Sequence, residues 1–152
     1  MESFLGYIDL IKSVNVYDML DEIFTNNRVQ EEMIRLNQEQ LQGGIDSQDE
    51  AIHTIGGHPY RPYTIAVKEL KGQPTDRVTL YDTGEFYKSF RVKITQNGYE
   101  IIADFNKPDG DIRDNLPGEF DVLGLTVESI AELVWETIYP RLERIIKEKL
   151  NV

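Results

Sequence analysis

The stretch RVTLYDTGEFYKSF, Arg77 to Phe90, changes its period in the middle. Val78 and Leu80, with Arg77 and Thr79 between them, alternate as a strand does. Past Asp82-Thr83-Gly84, the spacing of Phe86, Tyr87 and Phe90 is helical. Asp82 stands where a helix cap belongs, and Glu85 three residues on completes the capping-box pattern. Gly84 permits a sharp exit from strand to helix. Phe86 and Phe90 are then expected to pin the short helix to a sheet. The block reads as strand, turn, helix.

A hairpin follows. Arg91–Thr95 alternates, Tyr99–Asp104 does so less strictly, and Asn97-Gly98 between them is a strong signal for a turn with positive φ at both central positions. Helices flank this centre. Phe4, Leu5, Ile8 and Ile11 outline a first helix up to about Ser13. Asn15 suits the cap of a second that carries Val16, Leu20, Ile23 and Phe24. Val29, Met33, Ile34, Leu36 and Leu41 continue a narrower stripe until Gly43-Gly44 stops it. Residues 16–41 are one long helix or two broken at Asn26-Asn27, and the stripe is either core or partner contact. The clearest helix runs from Thr126, its cap, to Leu150. Its face holds Val127, Ile130, Val134, Ile138, Leu142, Ile145 and Ile146, with Ala131, Trp135 and Tyr139 beside it. Pro140 is expected to kink or restart it, and Arg144, Lys147 and Lys149 suit the negative end of its dipole. The class expected is α+β: a small antiparallel sheet with N-terminal and C-terminal helices packed on it and a long inserted loop.

That loop, residues 42–76, is rich in Gly and Pro. Connections of this length are generally functional, disordered or ordered by a partner. Thr64–Leu70 suits a short helical turn. Tyr60 and Tyr63 with Arg61 between them are residue types favoured at protein interfaces. The segment is expected to reach away from the core onto a neighbouring subunit, with a floppy surface loop as the alternative. Charge points the same way. The chain carries −11 overall, which argues against a general nucleic-acid binder. Residues 61–93, however, hold seven basic and four acidic side chains, and both flanks are acidic. A basic middle suits the acidic face of another copy in a head-to-tail contact, or is simply solvated surface.

Catalytic patterns are missing. With no cysteine, disulfides, thiolate zinc sites and cysteine nucleophiles are excluded. His53 and His58 sit in the Gly/Pro-rich loop without a scaffold, and no phosphate-cradling or zinc-protease motif occurs. In the acidic, turn-rich segment 105–124, Asn106, Asp109, Asp111 and Asp114 invite a calcium reading, but their spacing does not match the twelve-residue loop, and turn chemistry explains them. A metal-dependent hydrolase or nuclease using the aspartates of 104–114 is the enzymatic alternative. The expectation is a non-enzyme with no catalytic, cofactor or metal site. The N-terminus lacks the order of a signal peptide and no apolar run has membrane-spanning length, so a soluble product made in the cytoplasm is expected.

The order of these pieces resembles the tail-completion or virion-morphogenesis family of tailed bacteriophages, in versions from phages and prophages of Bacteroidetes. Its central "L-x-x-T-G-x-L-x-x-S" block is carried here by Leu80, Thr83, Gly84, Phe86 and Ser89. Its loop pattern is carried by Tyr60, Pro62, Thr64 and Lys68. The likeness covers roughly residues 28–150. The family's "Y-x-x-x-H-x-x-G" stretch after the hairpin is replaced by the acidic segment 105–124.

The resemblance implies a single α+β virion-morphogenesis domain over 28–152, preceded by a helical docking extension, 1–27. It implies a structural subunit that forms a homo-oligomeric ring at the head-tail neck or in the tail, in a tail-completion, terminator or connector role. Other neck or tail proteins are then its partners, DNA passes through the lumen without specific binding, and the protein resides in the virion after synthesis in the bacterial host cytoplasm. Tyr60, Arg61, Tyr63, Lys68, Tyr81 and Tyr87 are the expected subunit-interface residues. Leu80, Asp82, Thr83, Gly84, Phe86, Ser89 and Phe90 form the structural motif. A small acidic adaptor or inhibitor that binds a basic host protein is the alternative from another class.

Overall fold

A computed structural model describes residues 14–96, 98–108, 110–118 and 120–151. The helix expected before Ser13 lies outside the described residues. In chain order the elements are α1 (Val16–Phe24), α2 (Asn27–Gln42), α3 (Pro62–Leu70), α4 (Glu85–Lys88), β1 (Arg91–Thr95), β2 (Gly98–Ile102), β3 (Asn106–Lys107) and β4 (Gly110–Asp111). A 3-10 turn, Ile112–Asn115, then leads through a loop to α5 (Val127–Glu132), a π-helical segment Leu133–Ile138, and α6 (Tyr139–Leu150). The class is α+β, and the strands among the described residues pair antiparallel. The chain divides into two compact units. One joins the described residues up to Glu32 with those from Ala131 onward, and the other is Met33–Ile130. Among the described residues no helix is long and apolar enough to cross a membrane.

In the first unit, Asn15 caps α1 by accepting the Tyr17 N–H at 3.0 Å. Met19 and Ile23, one turn apart, are buried. The helix stops at Thr25, whose hydroxyl donates to the Asp21 carbonyl at 2.7 Å. Asn26 then accepts the Arg28 N–H at 3.0 Å and starts the next helix. So the asparagines divide the run into two helices. The other end of the chain contributes the π segment and α6, where Leu133 and Ile145 are buried. Pro140 falls in the first turn of α6. It lacks an N–H and crowds the turn before it, and a wider π turn there absorbs both effects. That turn also shifts the helical phase, which is why the buried face carries Leu133 rather than following the straight stripe expected from sequence.

The second unit is organised by the end of α2. Gly44 takes φ 77°. Its N–H bonds to the Leu41 carbonyl at 3.0 Å, and the Ile45 N–H bonds to that of Gln40 at 3.0 Å, the paired bonds of a Schellman stop. Leu41, Ile52, Val78, Phe86, Phe90, Ile112, Leu116 and Val122 form one core cluster. Phe86 sits with its ring centroid 5.1 Å from both Phe90 and Phe105. The aliphatic stripe of α2 is core, as Met33, Leu36 and Leu41 are buried. Two polar residues join it. Asn37 donates to the Val122 carbonyl and accepts the Gly124 N–H, both at 3.1 Å. Gln40 donates to the Gly124 carbonyl at 3.0 Å and accepts the Thr126 N–H at 2.9 Å. Side-chain amides thus do for this loop what a neighbouring strand would do. Thr126 caps α5, accepting the Ser129 N–H at 3.2 Å.

Three expectations for the central block change. Residues 77–80 form no strand: Val78 and Thr79 are both buried, and Leu80 turns the chain at φ 52°. Asp82 caps nothing, because its carboxylate pairs with Lys71 and the position before α4 is taken by Gly84 at φ 87°, ψ 0°. The hairpin forms, but Thr95 pairs with Gly98, so residues 96 and 97 link the strands and Gly98 lies within the ladder. Asn97 itself is outside the described residues. Ser89 earns its place in the block by donating to the Phe86 carbonyl at 2.6 Å and accepting the Asp104 N–H at 2.9 Å, which ties α4 to the end of the hairpin.

The inserted segment 42–76 does not simply reach outward. Ile52 is in the core cluster, Tyr60 packs against it, and α3 is a nine-residue helix with Pro62 in its first turn.

Candidate functional site

Within the second unit an open cleft of about 560 Å³ lies between α3, the strap 78–82 and the segment 107–116. Of the six residues expected at an interface, Tyr60, Arg61, Tyr63, Lys68 and Tyr81 line it. Tyr87 does not. Its hydroxyl points inward and donates to the Thr79 carbonyl at 2.6 Å. The Tyr60 hydroxyl accepts the Thr79 N–H at 2.9 Å. Thr79 is fully buried with no strand beside it among the described residues, so two tyrosine hydroxyls satisfy its backbone in place of a ladder. Tyr87 therefore serves the fold, and Tyr60 serves both fold and cleft. Burial, then the nearby Tyr60, pushes the Tyr87 hydroxyl well above its ordinary pKa of 10.0.

Lys68 forms the floor of the cleft. It is only 6 % exposed, and its ammonium donates to the Tyr81 carbonyl at 2.7 Å and to Gln73 Oε1 at 3.2 Å. The same nitrogen stands 4.8 Å from the centre of the Tyr60 ring, within cation–π range. Gln73 in turn donates to the Asp82 carbonyl at 2.8 Å. Lys71 hydrogen-bonds the Asp82 carboxylate, and that bond, aided by the charges of Lys71, Lys107 and Lys68, holds the carboxyl below its usual range. One carboxylate thus sits in the field of three lysines.

On the opposite wall Asp111 is held down to about 2 by Arg113, whose guanidinium bonds it at 2.9 Å and 2.5 Å. Asp104 accepts both the backbone and side-chain N–H groups of Asn106. Asp111 of the calcium reading and Asp104 of the enzymatic alternative are therefore occupied by their own turns, and Asp109 lies outside the described residues. Among the described residues no group of three or more His, Cys, Asp or Glu side chains is arranged to hold a metal.

The rim is open to solvent. Tyr63 is 81 % exposed, and Arg61 and Lys71 are exposed beside it. His53 and His58 do not come together here: the His53 ring meets the edge of Phe120 at 4.8 Å, and His58 is exposed elsewhere in its loop. Sequence reasoning named the wall residues but missed the role of Thr79 and the burial of Lys68. Neither has a motif, and each follows from where α3 lies against the strap.

The fold and cleft define an α+β protein with a tyrosine-lined cleft in which basic side chains stand beside three aspartates. No protein-family model, curated protein or solved structure matches this chain.

Proposed function

We propose that this chain is a structural subunit of a tailed-bacteriophage virion, closing into a ring at the head-tail neck or in the tail in a tail-completion or connector role. The cleft carries the reading. It gathers Arg61, Lys68, Lys71 and Lys107 around tyrosines, beside Asp82, Asp111 and Asp114, in a chain whose net charge is −11. A cation-bearing cleft in an otherwise acidic chain suits an acidic face of another copy, and a contact between two different patches is heterologous: repeated, it closes a ring where the rotation between copies closes. The predominantly acidic remainder suits a lumen through which DNA passes without being held, because like charge repels its phosphates. Other neck or tail proteins stack on such a ring, in a virion assembled in the bacterial cytoplasm.

Native mass spectrometry and negative-stain microscopy test this. Rings of one fixed stoichiometry are expected, from the protein alone or with its neck partners. A chain that stays monomeric at every concentration and never enters particles overturns the reading and returns the protein to the class of acidic adaptors.

A further inference from the structure

In the first unit, Trp135 and Tyr139 stand side by side on the solvent face of the C-terminal helix, with ring centroids 5.5 Å apart. Trp135 is 64 % and Tyr139 51 % exposed. Glu132 and Glu136 flank them, both exposed. Trp135 is the chain's single tryptophan, and an aromatic pair left in water forgoes a large burial gain, since such rings cover about 150–250 Å² each. The π segment that accommodates Pro140 runs through this face, and widened turns of this kind are frequent at functional positions.

We infer that the acidic aromatic face Glu132-Trp135-Glu136-Tyr139 of one copy docks into the tyrosine-lined cleft of the next, as the repeating contact of the ring. The inference rests on the ring reading above and names both of its surfaces. Charge favours this occupant: of the three aspartates that also line the cleft, Asp82 is paired with Lys71 and Asp111 with Arg113, which leaves Asp114 against Arg61 and Lys107. The face brings two carboxylates, and the cleft rim brings Arg61 and Lys107, whose field already depresses Asp82 in the case of Lys107. Size agrees as well: a cleft of about 560 Å³ lies in the range that receives compact aromatic groups. Tryptophan in a pocket ringed by polar contacts is the usual form of an interface anchor. The two surfaces differ from each other, so the contact is heterologous, as a closed ring requires.

The test is a charge-swap cycle on the full chain, read by sedimentation velocity and native mass spectrometry. Arg61→Glu with Lys107→Glu, and separately Glu132→Lys with Glu136→Lys, should each weaken self-association by about tenfold or more. The chain carrying all four changes should recover assembly, because the pairs are restored with opposite sign. Trp135→Ala should lower association while leaving the melting of the monomer unchanged. A wild type that assembles while both swaps and Trp135→Ala leave it untouched overturns the docking inference and leaves the ring reading standing. A wild type that assembles neither alone nor with its neck partners removes both. If Trp135→Ala lowers monomer stability and assembly is unaltered, the face is covered by the chain's own residues and the inference is wrong.

Discussion

Gly84 is a position where a single methyl group should do marked damage. It precedes α4 at φ 87° and ψ 0°, a region that costs a residue with a Cβ about 1–2 kcal/mol. Part of that is offset because alanine also restricts the unfolded chain, by about 0.4–1 kcal/mol. Gly72 provides the control: it takes φ 65°, and a Cβ there meets nothing within 4 Å. Gly72→Ala should therefore destabilise by about 1 kcal/mol from the backbone alone. At Gly84 a Cβ would stand 3.1 Å from the Tyr81 hydroxyl and 3.4 Å from its ring, and that ring is braced edge-on against Tyr87 at 5.2 Å. Crowding a packed site adds about 1–3 kcal/mol, so Gly84→Ala should cost about 2–3 kcal/mol and Gly84→Val about 4. Tyr81→Phe removes the nearest atom, and in that background Gly84→Ala should recover about 1 kcal/mol. Urea denaturation followed by far-UV circular dichroism measures the series. Hydrogen exchange at the Lys88 and Ser89 amides, which bond to the Gly84 and Glu85 carbonyls, localises the loss. Tryptophan fluorescence is the wrong probe, since Trp135 belongs to the other compact unit. Equal losses at Gly72 and Gly84, or a Gly84→Val protein as stable as wild type, would refute the reasoning.

Asn37→Ala strips two buried bonds from the Val122–Gly124 loop, and a loss of about 2–4 kcal/mol is expected, with faster exchange at the Gly124 amide as its local mark. Lys68→Met keeps the apolar stem but leaves the Tyr81 carbonyl and Gln73 without their donor. It should destabilise by about 1–3 kcal/mol in urea titration, and unchanged stability would show that the ammonium is dispensable. The raised pKa of Tyr87 gives a sign in alkali. The unfolded tyrosine ionises near 10 while the folded one holds its proton, so this stabilisation is fully present below pH 10 and is lost as pH rises toward the folded value. Urea midpoints for wild type should therefore fall between about pH 9 and 11, and Tyr87→Phe should flatten that fall; parallel pH profiles would sink the assignment.

Periodicity and punctuation made much of the fold legible. Gly43-Gly44 announces the stop of α2, Asn15 the start of α1, Thr126 the cap of α5, and the alternation on either side of Asn97-Gly98 the hairpin, because each is a local arrangement set by the residue's own backbone or side-chain reach. The interface residues were legible only as types. Tyr60 and Tyr87 read as surface tyrosines, yet both hydroxyls are spent on Thr79, and nothing within the local sequence says that the strap lacks a strand beside it.

The central block divides along the same line. By itself the sequence determined that Arg77–Phe90 must bend at Gly84, that Phe86 and Phe90 face inward, and that a basic middle separates acidic flanks. These depend on one residue's conformational freedom, on apolar spacing and on charge counts. Only the tertiary structure decided that Val78–Leu80 is a strap held by tyrosine hydroxyls rather than a strand. It alone turned Asp82 to Lys71 instead of to its helix, buried Lys68 beneath a cleft, and left Trp135 and Tyr139 in solvent. Those outcomes depend on which groups, far apart in the chain, arrive beside one another. A backbone N–H or an ammonium takes the acceptor it finds there, whatever its place in the sequence.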